Sequence, residues 1–193
     1  MSLLTLDLSP ILHLTHEQFT RIALANPDLR LELTADGALE IMPPTGGNTG
    51  RRNSKLTYQV EAWNQIDQLG EVFDSSTVFR LPNGAERSPD VAWVERTRWD
   101  VLTPEEQDTF PPLCPDFVIE LRPKTDTLSK LQAKMQEYLA NGCRLGWLID
   151  IQNQTLEIYR PKQAPQILNS PAKVSDEAIL PGFVLNLQAI WTV

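Results

Sequence analysis

The chain has 193 residues, 41% of them hydrophobic and 22% charged, with a formal net charge of −8 at pH 7. This length and composition fit one globular domain that can bury a core. The acidic balance disfavours a protein that grips nucleic acid by surface charge alone, yet it does not exclude an enzyme acting on nucleic acid, because carboxylates that await a divalent cation are themselves acidic.

No apolar run approaches the ~20 residues of a membrane span. The start, "MSLLTLDLSP", lacks the basic and long apolar segments of a signal peptide. The expectation is a cytoplasmic protein with no membrane partner.

In chain order, "THEQFTRIALANPD" predicts a helix, with Thr15 as N-cap, Gln18 three residues on, and Phe19, Ile22 and Ala23 as its apolar stripe. "LRLELTADGALEIMPPT" alternates about Asp36-Gly37 and predicts a hairpin. "TGGNTG" reads as a loop before a helix over residues 53 to 69, in which Leu56, Val60 and Trp63 share one face. The basic, Gly-rich stretch 47–55 is a candidate phosphate contact or a solvated loop.

"GEVFDSSTVFRLPNG" predicts a strand and a turn at Pro82-Asn83-Gly84, and "SPDVAWVE" a further strand. A polar insert follows, in which "TPEE" caps a short helical turn. "PDFVIELR" is almost continuously apolar, as a central strand would be. "TDTLSKLQAKMQEYLANGC" is the clearest helix, with Leu128, Leu131, Met135 and Leu139 as its stripe and Asn141-Gly142 as its stop. "RLGWLID" and "QTLEIYRP" predict two more strands, and the apolar tail "AILPGFVLNLQAIW" is expected to pack on the core.

This order predicts an α/β (α+β) fold around one mixed central sheet flanked by helices, preceded by an N-terminal helix and hairpin. Its expected parts are residues 1–45 for the helix and hairpin, 50–160 for the core and 161–193 for the tail.

The two cysteines, Cys114 and Cys143, have no CxxC spacing or nearby His pair and read as buried free thiols. His13 and His16 read as surface residues.

The candidate chemistry lies in the acids. Asp90 opens one strand and Glu120 lies near the end of another; if the two strands are neighbours, both carboxylates meet at one sheet edge. Such a pair repels unless a hard cation bridges it, and Mg²⁺ or Mn²⁺ with the carbonyl of Leu121 would suit it. Arg122, two residues after Glu120, and Lys134 on the next helix are candidate cations for a phosphate that gathers charge. Lys130 stands one turn before Lys134, and Glu61 is a weaker extra ligand.

Plainer roles compete with each of these. Asp90 also suits a turn, Arg122 a structural ion pair with Glu120, and the two lysines a solvated helix face.

"LPNGAERSPDVAWVERTRW", "PDFVIELRPKTDTLSKLQAKMQEYLANGCRLGWLID" and "ILPGFVLNLQAIW" resemble, in this order, the Uma2 family (DUF820) of restriction-endonuclease-like proteins abundant in cyanobacteria. The resemblance runs from about residue 12 to the C-terminus. It implies the PD-(D/E)xK nuclease fold, with an α-β-β-β-α-β core, and Mg²⁺-dependent hydrolysis of phosphodiester bonds in DNA. That fold also carries the expectation of a homodimer that cuts both strands.

Carried over, the metal-binding Asp is Asp90 and the Glu is Glu120. The place of the catalytic Lys holds Arg122, and Lys134 is the candidate for a lysine that has migrated to the helix. "ELRPKTD" departs from the family's "ELRSPSD" at Pro123 and Lys124. That departure motivates an alternative reading, a nuclease-fold binding or assembly module with little or no turnover.

Overall fold

The structure, a computed structural model, describes residues 3–8 and 11–192. Strand β1 (Leu4–Asp7) is followed by helix α1 (His16–Ala25). Thr15 and Gln18 close the expected capping box at the start of α1, and Phe19 is its buried anchor. The hairpin of β2 (Arg30–Leu33) and β3 (Ala38–Met42) turns at Gly37, whose φ of +89° a side chain would strain.

Helix α2 (Gly47–Asp67) starts earlier than the sequence suggests, so "GNTG" is its first turn and not a loop. Gly and Thr are poor helix formers, but the side chains that follow are tied down. Arg52 Nε donates to Ile190 O and Asn53 Nδ2 to Asp90 Oδ1.

The strand expected over 70–84 is two strands in different sheets. Strand β4 (Gly70–Asp74) ends where the backbone NH and hydroxyl of Ser76 both donate to Asp74 Oδ1. Strand β5 (Phe79–Arg80) then pairs through the Pro82-Asn83-Gly84 turn with β6 (Glu86–Arg87). After β7 (Val91–Glu95) come the short helices α3 (Arg96–Trp99) and α4 (Pro104–Asp108), the latter with a capping box between Thr103 and Glu106.

Strand β8 (Phe117–Leu121), helix α5 (Leu128–Ala140) and strand β9 (Leu145–Asp150) form a parallel crossover. Strands β10 (Thr155–Tyr159), β11 (Gln166–Asn169), β12 (Lys173–Ser175) and β13 (Val184–Asn186) and helix α6 (Gln188–Trp191) complete the chain.

The mixed central sheet has the order β11-β10-β9-β8-β7-β4, and β8 lies inside it as its apolar run predicts. The hairpin does not merely precede this sheet; it belongs to a second, antiparallel sheet, β1-β3-β2-β6-β5. Alternation sorts β8 between two cores. Phe117, Ile119 and Leu121 face α2 and the tail residues Phe183, Leu185 and Ile190. Val118 and Leu148 face Leu131, Met135 and Tyr138 of α5. Helix and sheet come so close there that a Cβ on Gly146 would stand 2.3 Å from Met135 Cε.

Cys114 and Cys143 are buried free thiols. His13 is exposed as expected, whereas His16 is half-buried and its Nδ1 pairs with the buried Glu86. Among the described residues no helix is long and apolar enough to cross a membrane.

Candidate active site

Strands β7 and β8 are antiparallel neighbours with Val91 opposite Ile119. One step further in that register, Asp90 stands opposite Glu120, and opposite residues of a strand pair share a face. The backbone NH of Leu121 donates to Asp90 Oδ2 at 2.8 Å, and Asn53 Nδ2 donates to Asp90 Oδ1 at 2.7 Å. Leu121 thus contributes its amide to the acid cluster. Both acids line a cavity of about 950 Å³ between the hairpin, the start of α2, the 121–126 junction and α5.

Helix α5 supplies the groups above Glu120. Lys134 and Tyr138 are one turn apart, so they share a helix face. Lys134 Nζ lies 2.8 Å from Glu120 Oε1, and the Tyr138 hydroxyl donates to the same oxygen at 2.9 Å.

Lys134 is shared. Its Nζ lies 2.9 Å from Oε1 of Glu32, a hairpin residue that the sequence pattern did not single out. Glu32 and Glu40 face each other across β2 and β3 and are both buried. Two facing carboxylates repel, and Arg87 stands between them: its NH1 donates to Glu32 Oε2 at 3.2 Å and to Glu40 Oε2 at 2.9 Å. Arg87 Nε donates to Glu137 Oε2, and Lys130 Nζ to Glu40 Oε1. Lys130 is therefore a partner of the hairpin and does not reach Glu120.

Arg122 departs from expectation. Alternation puts its Cβ on the face of Glu120, but that fixes the root of a long side chain and not its tip. Its NH1 donates to Asp150 Oδ2 at 2.7 Å, and its Nε to Asp126 O at 3.1 Å. Asp150 is fully buried at the end of β9 and takes the cation. Glu61 also lies apart: it accepts from Gln65 one turn on, and it is absent from the cavity wall.

The electrostatics follow from burial. Glu120 is pushed up to about 7, by burial first, against the pull of Lys134 and with a further push from Asp90 and Glu32. Burial also raises Asp90, against its hydrogen bonds from Leu121 and Asn53. Glu32 is lowered, because Lys134, Arg87 and the Ser88 amide together outweigh burial. Burial alone would lower Lys134, but Glu120 and Glu32 hold it above its ordinary value, so it stays an ammonium.

These residues suit a hard divalent cation. Glu32, Asp90 and Glu120 are three of the carboxylates that line one cavity. Asn53 Oδ1, on the amide that contacts Asp90, is a buried acceptor without a partner. Among the described residues no group of three or more His, Cys, Asp or Glu forms a metal cage. Two carboxylates with neutral oxygens are the sparse kind of set that Mg²⁺ accepts alongside water and substrate phosphate.

Among solved structures, the chain is similar to that of "a putative nuclease belonging to DUF820 from Anabaena variabilis ATCC 29413", with a TM-score of 0.76, 93% of this chain and 98% of that one covered, and 19% sequence identity. At that identity the likeness is one of fold. No curated protein matches. The family model described as "Uma2: Putative restriction endonuclease" matches residues 16–188. With its cluster of buried acids on a fold of this kind and a match over most of its length, the chain belongs to the Uma2 family.

Proposed function

We propose that the protein is a Mg²⁺- or Mn²⁺-dependent endonuclease that hydrolyses phosphodiester bonds in DNA. The observation that supports this most is the meeting of Asp90, Glu120 and Lys134 in one cavity, with Glu120 and Lys134 2.8 Å apart.

Asp90 and Glu120 would hold the cation, with the Leu121 carbonyl and Asn53 Oδ1 as neutral oxygens nearby. When bound, the cation supplies charge neutralisation and a more acidic water. Lys134, kept protonated by Glu120 and Glu32, offers its ammonium to the phosphoryl oxygens as their charge grows. Tyr138 and Leu121 orient the two acids through the hydrogen bonds given above. In the hydrolysis, a water gives up a proton as its oxygen bonds to phosphorus, one ester P–O bond breaks, and the departing alkoxide takes up a proton in turn. Arg122 has a structural role at Asp150.

A second reading, a nuclease-fold binding module without turnover, draws on the ion pair by which Lys134 already neutralises Glu120. Cleavage of labelled DNA with Mg²⁺ or Mn²⁺ tests the first reading. The wild type is expected to cut, and Asp90→Ala and Glu120→Ala to lose that activity. Equal activity in all three proteins would overturn the assignment.

A further inference from the structure

The cavity also bears on the form of the substrate. Glu120 is 5% exposed and Glu32 2%, so a phosphate must enter the cavity to reach Lys134 between them. About 950 Å³ is the size of a small-molecule pocket. Intact duplex carries its phosphates on the outside of a stiff rod. It cannot pass one phosphodiester to the bottom of such a pocket without its partner strand and flanking pairs meeting the rim.

Charge agrees with shape. Duplex binders commonly spread some 6–10 phosphate contacts over a basic face, whereas this chain has a net charge of −8. Of the cations that line the cavity, Arg87, Arg122, Lys130 and Lys134 are paired with carboxylates. Among the described residues, Arg30, Arg52 and Lys124 line it with no carboxylate at ion-pair distance; Arg30 is held by Ser75 O and acts on Asp90 from further off, and Arg52 is held through its Nε by Ile190 O, which leaves part of each guanidinium for phosphate. That is enough charge for a few phosphates of a single strand. The wall also contains Met42, Pro43, Pro44 and Pro123, apolar surface for bases that are free of their partners.

We propose that the site takes an unpaired strand: single-stranded DNA, a frayed end or a flap. One phosphodiester enters beside Lys134, while Arg30, Arg52 and Lys124 hold its neighbours. This inference rests on the nuclease reading for its chemistry, but its binding part can be tested apart from it. An unpaired strand needs one cut, and no second active site has to be aligned with this one.

The test uses one labelled oligonucleotide in three forms: single strand, blunt duplex and duplex with an unpaired flap. Fluorescence anisotropy with metal-free protein is expected to show about tenfold tighter binding of the single strand and the flap than of the duplex. Lys124→Glu, at an exposed residue without an ion pair, should reduce that binding and flatten its salt dependence. With Mn²⁺, cuts should map to unpaired nucleotides.

Duplex bound or cut as readily as single strand, or no binding of any form, would overturn the proposal. Preferential binding of the single strand without cleavage of any form would leave it standing and overturn the nuclease reading.

Discussion

Lys134 Nζ lies 2.8 Å from Glu120 Oε1, so the cation of the site comes from helix α5 and not from the strand that carries the acid. The two residues are fourteen apart in sequence, and the parallel crossover from β8 to β9 folds one over the other. Arg122, much nearer to Glu120 in the chain, is committed to Asp150.

Replacing the two cations should therefore have different effects. Lys134→Met should abolish cleavage and leave Glu120 without its ammonium, which raises the Glu120 carboxyl still further. Arg122→Ala should retain cleavage but cost roughly 2–4 kcal/mol of stability, because a buried carboxylate loses its partner. Urea denaturation beside a cleavage assay separates the two.

The acids give two pH limbs of opposite sign. Glu120, pushed up to about 7, binds its proton more tightly in the folded state than in the unfolded. Its contribution to stability is full below the unfolded value near 4.5 and is lost as pH rises through about 7. Glu120→Gln should remove that loss and stabilise the protein at pH 8 by up to roughly 3 kcal/mol, while cleavage disappears. Melting temperatures of both proteins across the pH range check it.

Asp150 behaves in reverse. Burial would raise its carboxyl, but Arg122 and Asn153 hold it below its ordinary value. Its contribution is present above the unfolded value and is lost as pH falls through the folded one. The acid limb of the stability curve should be shallower in Arg122→Ala than in the wild type, as measured by urea unfolding at low pH.

The hairpin should matter more than an N-terminal appendage would. Arg87→Met leaves Glu32 and Glu40 facing each other, with the two lysines of α5 and the Ser88 amide to offset them. A loss of about 3–5 kcal/mol is expected, as for a broken buried ion pair. Equilibrium unfolding of the variant measures it.

Much of the frame was legible in the sequence. Thr15 and Thr103 announce their helices by capping boxes, Asp36-Gly37 announces the hairpin, and the apolar run of β8 announces a central strand. The opposition of Asp90 and Glu120 follows once β7 and β8 are neighbours.

What stayed hidden depends on contacts distant in the chain. Glu32 and Glu40 fall on the polar face of an alternating hairpin, a pattern that ordinarily points to water. Here that face is covered by Arg87 and α5. Asn53 sits next to a stretch whose glycines read as a loop, and only its bond to Asp90 and the anchoring of Arg52 show why the helix reaches back to Gly47. The aim of Arg122 was hidden because Asp150 lies on β9, after a whole helix.

The most direct test of the account is a crystal structure of the protein soaked in Mn²⁺ at a pH above 7, with the ion located by anomalous diffraction. The account predicts an ion held by Asp90 and Glu120, with Lys134 retained by Glu32. An anomalous map without an ion at these two carboxylates, with Lys134 still paired to Glu120, would contradict it.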